Sequence, residues 1–317
     1  MELIHGFNQI QPRHQGCVVS IGNFDGVHKG HQRLLAKTQM IAKELKAPTM
    51  LITFEPAPRE FFGQSPPRLT RLREKAFWLA HYGLEHLLCL RFNDELARLP
   101  APSFISKYLI EGLKIKALIA GDDFHFGYQR IGDFELLLEA GRRLGFDAAY
   151  IPALIHDKQR VSSNLIRETL LQGNMILAEE LLGHPYSLCG RIVHGDKQGR
   201  TLGFATANIP LKRKVLPVTG VFAVRVHGIE ATPLRGVANI GTRPTLGKKQ
   251  ALLEVHLFDF NQTIYGRMVR VDILHKLRDE HKFANIEALK NQIGKDVAIA
   301  REYFCQVVSK PASSIVS

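Results

Sequence analysis

The sequence predicts an α/β protein with two domains: a parallel β-sheet flanked by helices, followed by a small antiparallel β-barrel with a terminal helix. The first half alternates short apolar runs with amphipathic helical stretches, which is typical of a parallel sheet covered on both faces. The second half contains strand-like segments separated by glycine-bearing turns, which is typical of a small barrel. At 317 residues the chain is longer than one hydrophobic core usually serves, so two domains are expected.

In the first half, four apolar runs predict parallel strands and four amphipathic stretches predict the helices that cover them. The strands are expected at residues 17–21, 50–54, 87–92 and 117–120, and the helices at 33–45, 71–81, 104–112 and 134–144. In such sheets, ligands bind at the carboxyl ends of the strands. The glycine-bearing loops 22–30 and 121–127 follow two of these strands, so we expect both loops at the same edge of the sheet.

The character of the chain changes near residues 181–186, where Gly183 and Pro185 interrupt a helical segment. We therefore place the domain boundary there, which gives domains 1–183 and 184–317. Strand alternation predicts the barrel, and apolar residues at helical spacing predict the final helix. The strands are expected at residues 220–228, 234–241, 252–260 and 269–277, and the helix at 285–304.

Composition limits the classes of function. With 42 basic and 30 acidic residues the formal net charge is +12, which suits either nucleic acid or several phosphorylated ligands. The basic residues are dispersed and not interleaved with aromatics, which disfavours a nucleic-acid surface. The sequence has no apolar run of about 18 residues that could span a bilayer, no N-terminal signal pattern and no CxxC pair among its four cysteines. These features favour a cytoplasmic location with reduced thiols.

The most informative segment is residues 17–35, CVVSIGNFDGVHKGHQRLL. A strand that passes through a glycine turn into a helix points backbone N–H groups into a crevice that suits a polyphosphate. His28 and His31 lie one turn apart where the helix begins, so both imidazoles can donate to one cluster of anionic oxygens. Two alternatives are a metal ion shared by the imidazoles and a pair of exposed histidines without a binding role.

This segment resembles the GxFDxxHxGH motif of the nucleotidyltransferase superfamily. Its string GNFDGVHKGH is similar to the FMN adenylyltransferase half of bacterial bifunctional riboflavin kinase/FAD synthetases. The resemblance implies a Rossmann-like nucleotidyltransferase domain in which His28 and His31 are catalytic. It also implies that the ATP phosphates are bound by Gly22, Phe24, Asp25 and Gly30.

Two later motifs of the first half are similar to elements of the same family. Residues 121–127, GDDFHFG, resemble a GxDFxFG element, which implies that Asp123 and Phe124 bind the flavin. A turn or helix cap is the alternative role for Asp123. Residues 161–167, VSSNLIR, resemble ISSTxIR. In both segments, side-chain hydroxyls precede an arginine at the start of a helix. This match implies a second phosphate pocket formed by Ser162, Ser163 and Arg167.

Residues 190–208 resemble the riboflavin kinase motif that ends in PTAN. The resemblance implies that a glycine-rich segment wraps the phosphates of ATP through Gly195, Gly199, Arg200 and Gly203. It also implies that Thr206 and Asn208 hold Mg²⁺ through oxygen atoms, the ligand type that this ion prefers.

The segment LLEVHLFDF contains Glu254 and resembles the family's ETHLxDF strand, which implies that Glu254 deprotonates the ribityl 5′-hydroxyl of riboflavin. A carboxylate at the mouth of a barrel suits a general base, whereas a surface-facing strand glutamate is the alternative. Residues 278–283 match an RxExKF element, which implies a flavin contact from Arg278; a charged loop before a helix is the alternative. Residues 239–245, NIGTRPT, match a further loop of the family.

The chain departs from the family pattern at three positions. Ala57 stands where the family commonly has histidine, and Asn164 replaces a threonine of the second phosphate pocket. Ala205 replaces the proline of the PTAN motif, which keeps the ligating side chains but relaxes the turn.

Together these motifs predict a bifunctional enzyme. The second domain would phosphorylate riboflavin with ATP to give FMN, and the first would adenylylate FMN to FAD with loss of pyrophosphate, with Mg²⁺ bridging the phosphates. The expected partners are the small molecules riboflavin, FMN and ATP, without membrane or nucleic acid, and self-association is left open. The competing hypotheses are an RNA-binding protein on the same scaffold and an adenylyltransferase for another phosphorylated acceptor.

Overall fold

The computed structural model describes residues 1–195, 203–245 and 248–308. The chain divides into two compact units, Met1–Leu165 and Ile166–Ser317, and each contains its own six-stranded sheet. Two predicted phosphate contacts, Gly199 and Arg200, lie outside the described residues.

The sheet of the first unit is parallel throughout. Its strands are β1 (Glu2–His5), β2 (Val18–Ile21), β3 (Thr49–Glu55), β4 (His86–Arg91), β5 (Ala117–Gly121) and β6 (Asp147–Ile151). Their order is β1-β4-β3-β2-β5-β6, so the chain runs to one side of β2 first and to its other side later. Such a reversal opens a crevice at the carboxyl ends of the two central strands. The loops that follow β2 and β5 therefore lie at the same edge, as predicted.

Helices cover this sheet. They are α1 (Lys29–Glu44), α2 (Pro58–Phe61), α3 (Leu72–His81), α4 (Asp94–Ala97), α5 (Ala101–Phe104), its π-helical continuation Ile105–Gly112, and α6 (Phe134–Leu144). A short hairpin, β7 (Ile155–His156) and β8 (Gln159–Arg160), follows β6. Helix α7 (Ser163–Leu171) begins at the end of the first unit.

Two cores form because successive side chains of a strand point to opposite faces. On one face, Leu35 of α1 and Leu79 of α3 pack with Val18 and Ile119 of the strands. On the other face, side chains from the π-helical segment and α6 pack with the alternate strand residues; this second core includes Val19, Ile52, Leu109, Leu118 and Leu137. Each such buried side chain stabilises the fold by about 1.5–3 kcal/mol relative to exposure.

The second unit contains α8 (Met175–Leu182) and an antiparallel sheet. The strands are β9 (Tyr186–Arg191), β10 (Ala207–Pro210), β11 (Gly220–His227), β12 (Leu234–Thr245), β13 (Lys248–Leu257) and β14 (Met268–Arg278). Their order is β10-β13-β12-β11-β14-β9. The two end strands also meet, since the backbone N–H of Val193, just after β9, donates to the carbonyl oxygen of Asn208 at 2.8 Å. The sheet is thus a nearly closed barrel.

The terminal helix α9 (Ile286–Val308) packs on the outside of this barrel. Ala300 and Phe304 contribute to a core with Val221, Val237 and Leu274 of three different strands. The alternate residues of β11, such as Phe222, are also buried and fill the interior of the barrel. β11 is therefore buried on both faces.

The predicted fold class is confirmed, whereas four strands of the two six-stranded sheets and the short hairpin of β7 and β8 escaped prediction. β1 (ELIH) and β6 (DAAYI) carry polar residues and form the two edges of their sheet, so neither appears as an apolar run. β9 and β10 flank a glycine-rich motif that obscures strand alternation. None of the helices in the described ranges combines the length and apolar character needed to cross a bilayer.

The cysteines differ in exposure. Cys17 is completely buried beside β2, and burial raises the pKa of its thiol to about 12, whereas Cys305 is exposed on α9. Because the thiolate is the reactive form, iodoacetamide at about pH 8 should modify Cys305 and leave Cys17 unmodified in the native protein. Peptide mass spectrometry measures both, with a Cys305→Ser variant as control. Alkylation of Cys17 at the rate of Cys305 would contradict the burial.

Candidate active sites

The loop between β2 and α1 has an unusual backbone. Phe24, Gly26 and Val27 have φ angles of 47°, 88° and 45°, in the left-handed region that non-glycine residues disfavour. The Asp25 carboxylate binds this loop to the segment before α3, because it accepts hydrogen bonds from the backbone N–H of Leu69 at 3.1 Å and of Thr70 at 2.8 Å. Asp25, a predicted phosphate contact, therefore binds backbone and holds the loop in place.

Three aromatic rings stack over this loop. The Phe24 and His31 ring centroids are 4.5 Å apart, and those of His31 and His28 are 3.6 Å apart, with interplanar angles of 21° and 20°. Two glycines leave room for the stack. A Cβ on Gly22 would lie 3.2 Å from the Phe24 ring, and one on Gly30 would lie 3.1 Å from the His28 ring. Both predicted glycines therefore serve close packing of the rings.

The two histidines differ in their surroundings. His28 is the N-cap residue of α1, and its Nδ1 accepts a long hydrogen bond of 3.4 Å from the backbone N–H of His31. Nδ1 of His31 is buried and has no hydrogen-bond partner among the described residues. The pKa of His31 lies well below its usual value, because burial and the nearby charges of His28 and Lys75 disfavour the imidazolium. His31 is therefore neutral near pH 7 in the unliganded protein.

Ser163, a residue of the second predicted phosphate pocket, contacts the same loop. The Ser163 hydroxyl donates to the backbone oxygen of Asp25 at 2.9 Å, and the Ser162 hydroxyl accepts from the backbone N–H of Leu165 at 3.3 Å. Ser163 thereby connects the start of α7 with the loop, and Ser162 caps the helix. Arg167 lies one turn further along α7, in the second unit.

The loop after β5 is held by an arginine that the sequence analysis did not identify. Arg160 of β8 bonds to carboxylate oxygens of Asp122 at 2.8 Å and of Asp123 at 2.9 Å. The Phe124 ring stacks on Phe126 with centroids 5.4 Å apart. The Asp123 carboxylate thus pairs with Arg160, and the aromatic side chain beside it is partly buried.

A buried lysine was also missed. Lys75 of α3 donates from Nζ to the Thr53 hydroxyl at 3.2 Å, at the carboxyl end of β3. A lysine in a helical stretch is normally interpreted as a solvent-facing residue. Ala57, where the family commonly has histidine, lies at the start of α2 beyond this strand end.

The shared-metal alternative for His28 and His31 gains no third ligand in the described part of the chain. The group there that brings three ligand-type side chains together is Glu2, His14 and His86. In that group the backbone N–H of Gln11 donates to Nδ1 of His14 at 3.0 Å. A neutral His14 then carries its proton on Nε2, which faces the Glu2 carboxylate at 3.1 Å. That atom is occupied, so the group is a hydrogen-bonded cluster.

The second unit presents a polar row across three strands. Asn208 of β10 lies directly opposite Glu254 of β13, which in turn lies opposite Asn239 of β12. Residues directly opposite each other in a sheet share a face. Because Leu253 and Val255 fill the interior, Glu254 lies on the outer face of the barrel rather than inside its mouth. Asn239 was not singled out from the sequence, since its position depends on strand register.

The segment before β10 packs closely on this row. Thr206 and Asn208 line a pocket together with Gly195, where a Cβ would overlap the Asn208 amide group. Gly203 has a φ of 86°, as a turn residue. Nδ1 of His256 bonds to the carbonyl oxygen of Ala205 at 3.0 Å, which holds the position where the family has proline.

Arg278 is fully engaged within the protein. It donates from Nε to Asp296 at 3.0 Å and from its two terminal nitrogens to Asp296 at 2.8 Å and to the backbone oxygen of Asp279 at 2.9 Å. Asp296 belongs to α9 and is buried. These contacts anchor the terminal helix to the end of β14. Beside them, the Asn239 amide donates to Glu280 at 3.0 Å, which holds the following loop near the polar row.

In comparisons with known proteins, two family models match this chain, one in each half. The FAD synthetase family model matches residues 10–165, and the riboflavin kinase family model matches residues 182–304. The chain is 48% identical to a bifunctional riboflavin kinase/FMN adenylyltransferase of Escherichia coli (strain K12), over 98% of this chain and 100% of that protein. It belongs to this bifunctional family. A relative with the same description from Haemophilus influenzae is 45% identical over 96% of this chain and 99% of its own length.

A solved structure extends the likeness to the whole fold. The crystal structure titled macrolide-efflux protein from Streptococcus pneumoniae has a TM-score of 0.81 and 32% sequence identity, and the match covers 95% of this chain and 99% of that chain. The nucleotidyltransferase-like sheet and the riboflavin kinase-like barrel that the sequence motifs implied are thus confirmed as the architecture of the family.

The Asp25 contacts predict a clear stability effect. Asp25→Ala removes the acceptor of two backbone N–H groups and should lower the free energy of unfolding by about 2 kcal/mol. Urea denaturation followed by circular dichroism measures this. Glu95→Ala is the control, because its exposed pair with Lys107 at 3.4 Å should contribute less than about 1 kcal/mol. Equal effects of the two substitutions would contradict the role of Asp25.

Proposed function

We propose that this chain makes FAD from riboflavin in two ATP-dependent steps, with FMN as the intermediate. The single observation that carries the proposal is the match of two family models, one to each half, in a chain that its bifunctional relatives cover almost from end to end. The stacked histidines and the polar row of the barrel supply one candidate active site in each half.

In the adenylyltransferase step, a phosphate oxygen of FMN attacks the α-phosphorus of ATP and pyrophosphate leaves. Two anions must approach each other, so positioning and neutralisation of charge supply most of the catalysis. His28 stands at the N-terminus of α1, where the helix dipole favours an anion. His31 starts neutral and can donate one hydrogen bond; a bound triphosphate raises its proton affinity, so the positive charge develops when the ligand arrives.

Further contacts of this step are proposed on the loops of the first unit and at the start of α7. Gly22 and Gly30 allow the rings to stack, and Phe24 forms the end of the stack. We propose that Ser162, Ser163 and Arg167 bind phosphate and that Asp123 and Phe124 lie on the flavin side. The serine hydroxyls and the Asp123 carboxylate have protein partners in the unliganded chain, so ligand binding exchanges those hydrogen bonds.

In the kinase step, Glu254 accepts the proton of the ribityl 5′-hydroxyl while the hydroxyl oxygen attacks the γ-phosphorus of ATP, the bond from that phosphorus to the β,γ-bridging oxygen breaks, and ADP leaves. Asn208 and Asn239 flank Glu254 on the same face and orient the reacting groups. The Thr206 hydroxyl and the Asn208 amide oxygen are hard oxygen donors that border one pocket, which fits Mg²⁺. Mg²⁺ held there would neutralise ATP phosphate charge. We propose that the phosphates are wrapped by Gly195, Gly199, Arg200 and Gly203. Arg278, which anchors α9 through Asp296, is proposed to position the flavin side of the site.

We propose that the domains are 1–183 and 184–317, which limited proteolysis near Gly183 tests. A cytoplasmic location is supported by the scattered cysteines and is tested by cell fractionation. Self-association, which the sequence leaves open, is measured by light scattering. The reactions require no nucleic-acid partner, and a gel-shift assay with RNA tests the competing class.

The decisive experiment is flavin product analysis. Riboflavin and Mg-ATP should give FMN and then FAD, separated by liquid chromatography. FAD must be accompanied by an equivalent amount of pyrophosphate. If no flavin product forms, the proposal is wrong; if FMN forms but is not adenylylated, competition with other phosphorylated acceptors identifies the substrate of the first domain.

His28→Ala should separate the two reactions. Loss of the imidazole at the start of α1 should lower FAD formation from supplied FMN by about 100-fold or more, whereas FMN formation from riboflavin should continue at the wild-type rate. The control is His5→Ala, which removes an exposed histidine of the same unit. Wild-type FAD formation by the His28 variant would exclude a catalytic role for that ring.

Glu254→Gln and Asn208→Ala should have the opposite effect. Each should lower FMN formation by about 100-fold or more, while supplied FMN is still converted to FAD. Glu230→Gln, an exposed substitution in the second unit, is the control. Loss of both reactions in a folded variant would contradict two independent active sites.

A further inference from the structure

The first unit contains a buried cation that the proposed mechanism does not use. Lys75 lies in the first turn of α3 and is 6% exposed. Its Nζ donates to the Thr53 hydroxyl at 3.2 Å. In the described part of the chain this is the one hydrogen bond of the ammonium group, and no carboxylate oxygen lies within 4.0 Å of it.

Such a group is unfavourable as a purely structural element. An ammonium has three N–H donors, and two of them are not used by the described residues. Burial of a cation without a paired carboxylate costs free energy, and burial accordingly lowers the pKa of Lys75. The Asp25 and Glu55 carboxylates lie near enough to oppose that shift and favour the ammonium form.

The nearby carboxylates bind other groups. Glu55 pairs with Arg68 at 2.6 Å, and Glu60 also pairs with Arg68. Asp25 accepts hydrogen bonds from backbone N–H groups. Arg68 therefore pairs with two carboxylates, whereas no carboxylate of the described residues lies at contact distance from Lys75.

Lys75 lies close to the candidate adenylyltransferase site. Thr53 lies at the carboxyl end of β3, one residue beyond Ile52, which is the register partner of Ile21 at the end of β2. The Thr53 hydroxyl lies 3.5 Å from the backbone oxygen of Asn23, in the loop that carries the ring stack. Lys75 is also close enough to His31 for its charge to affect that ring.

We propose that Lys75 is a further phosphate-binding residue of the adenylyltransferase site, where its ammonium group donates to a phosphate oxygen of a bound substrate. The inference rests on the proposed function. A phosphate oxygen supplies a hydrogen-bond acceptor for the N–H donors of Lys75 that the described residues do not use. It also supplies the negative charge that no described carboxylate provides at contact distance. The ligand is either the triphosphate of ATP or the phosphate of FMN, and both present the same chemistry to the lysine.

The test compares two substitutions in the full-length protein. Lys75→Met keeps most of the side-chain volume and removes the charge, so kcat/KM for FAD formation from supplied FMN should fall by about 100-fold or more. FMN formation from riboflavin should be unchanged. The melting temperature should be unchanged or higher, because an unpaired buried charge is removed. A purely structural lysine would show the reverse stability effect.

Thr53→Val is the matched control. It removes the described hydrogen-bond partner of Lys75 but leaves the charge, so FAD formation should stay within about five-fold of the wild-type value. Separate titrations of ATP and FMN identify the phosphate. A raised KM for ATP assigns the contact to the triphosphate, a raised KM for FMN assigns it to the flavin phosphate, and a lowered kcat alone assigns it to the transition state.

Four outcomes overturn the inference or the proposal beneath it. FAD formation by Lys75→Met within about five-fold of wild type overturns it, as do equal losses in Lys75→Met and Thr53→Val. If Lys75→Met does not fold, Lys75→Gln replaces it, because glutamine can still donate to Thr53 without charge; wild-type activity there overturns the inference and selective loss supports it. A wild-type protein that makes FMN but no FAD contradicts the proposed function of the first domain instead.

Discussion

The backbone of the loop between β2 and α1 is strained, and the first site depends on the contacts that hold it. Left-handed conformations at Phe24 and Val27 cost about 1–3 kcal/mol each. The Asp25 carboxylate offsets this cost by binding backbone N–H groups of a segment more than forty residues away, at separations of 44 and 45 residues. The stack of Phe24, His31 and His28 forms on this loop. The imidazoles are therefore positioned by tertiary contacts as much as by their helix.

Much of this arrangement could be predicted from the sequence, because it depends on local patterns. Apolar runs and glycine turns identified the central strands and the two loops at their carboxyl ends. The residues that were missed depend on long-range geometry. Asn239 joins the polar row through strand register, Arg160 reaches its carboxylates from a two-residue strand, and Lys75 turns inward from a helix of ordinary composition. A single sequence contains no local pattern for any of these contacts.

The charge at the first candidate site depends on burial as well as on residue type. Burial and neighbouring charge keep His31 neutral near pH 7. Two positive groups close together repel each other more strongly when they are buried, and the attraction of both to an anion would offset that repulsion. Under the proposed function, phosphate binding would be coupled to proton uptake by an imidazole. A site with this property holds less uncompensated charge when it is empty.

The second site is positioned by a different physical constraint. Asn208, Glu254 and Asn239 lie on regular strands and share a face because of the pairing register. A slip of one residue in a strand would turn its polar side chain into the barrel interior and expose an apolar neighbour such as Leu253 or Val255. The same burial that stabilises the barrel therefore sets the register of the polar row. In the first unit, by contrast, the Asp25 carboxylate holds a strained loop, so the geometry there depends on a polar contact rather than on apolar burial.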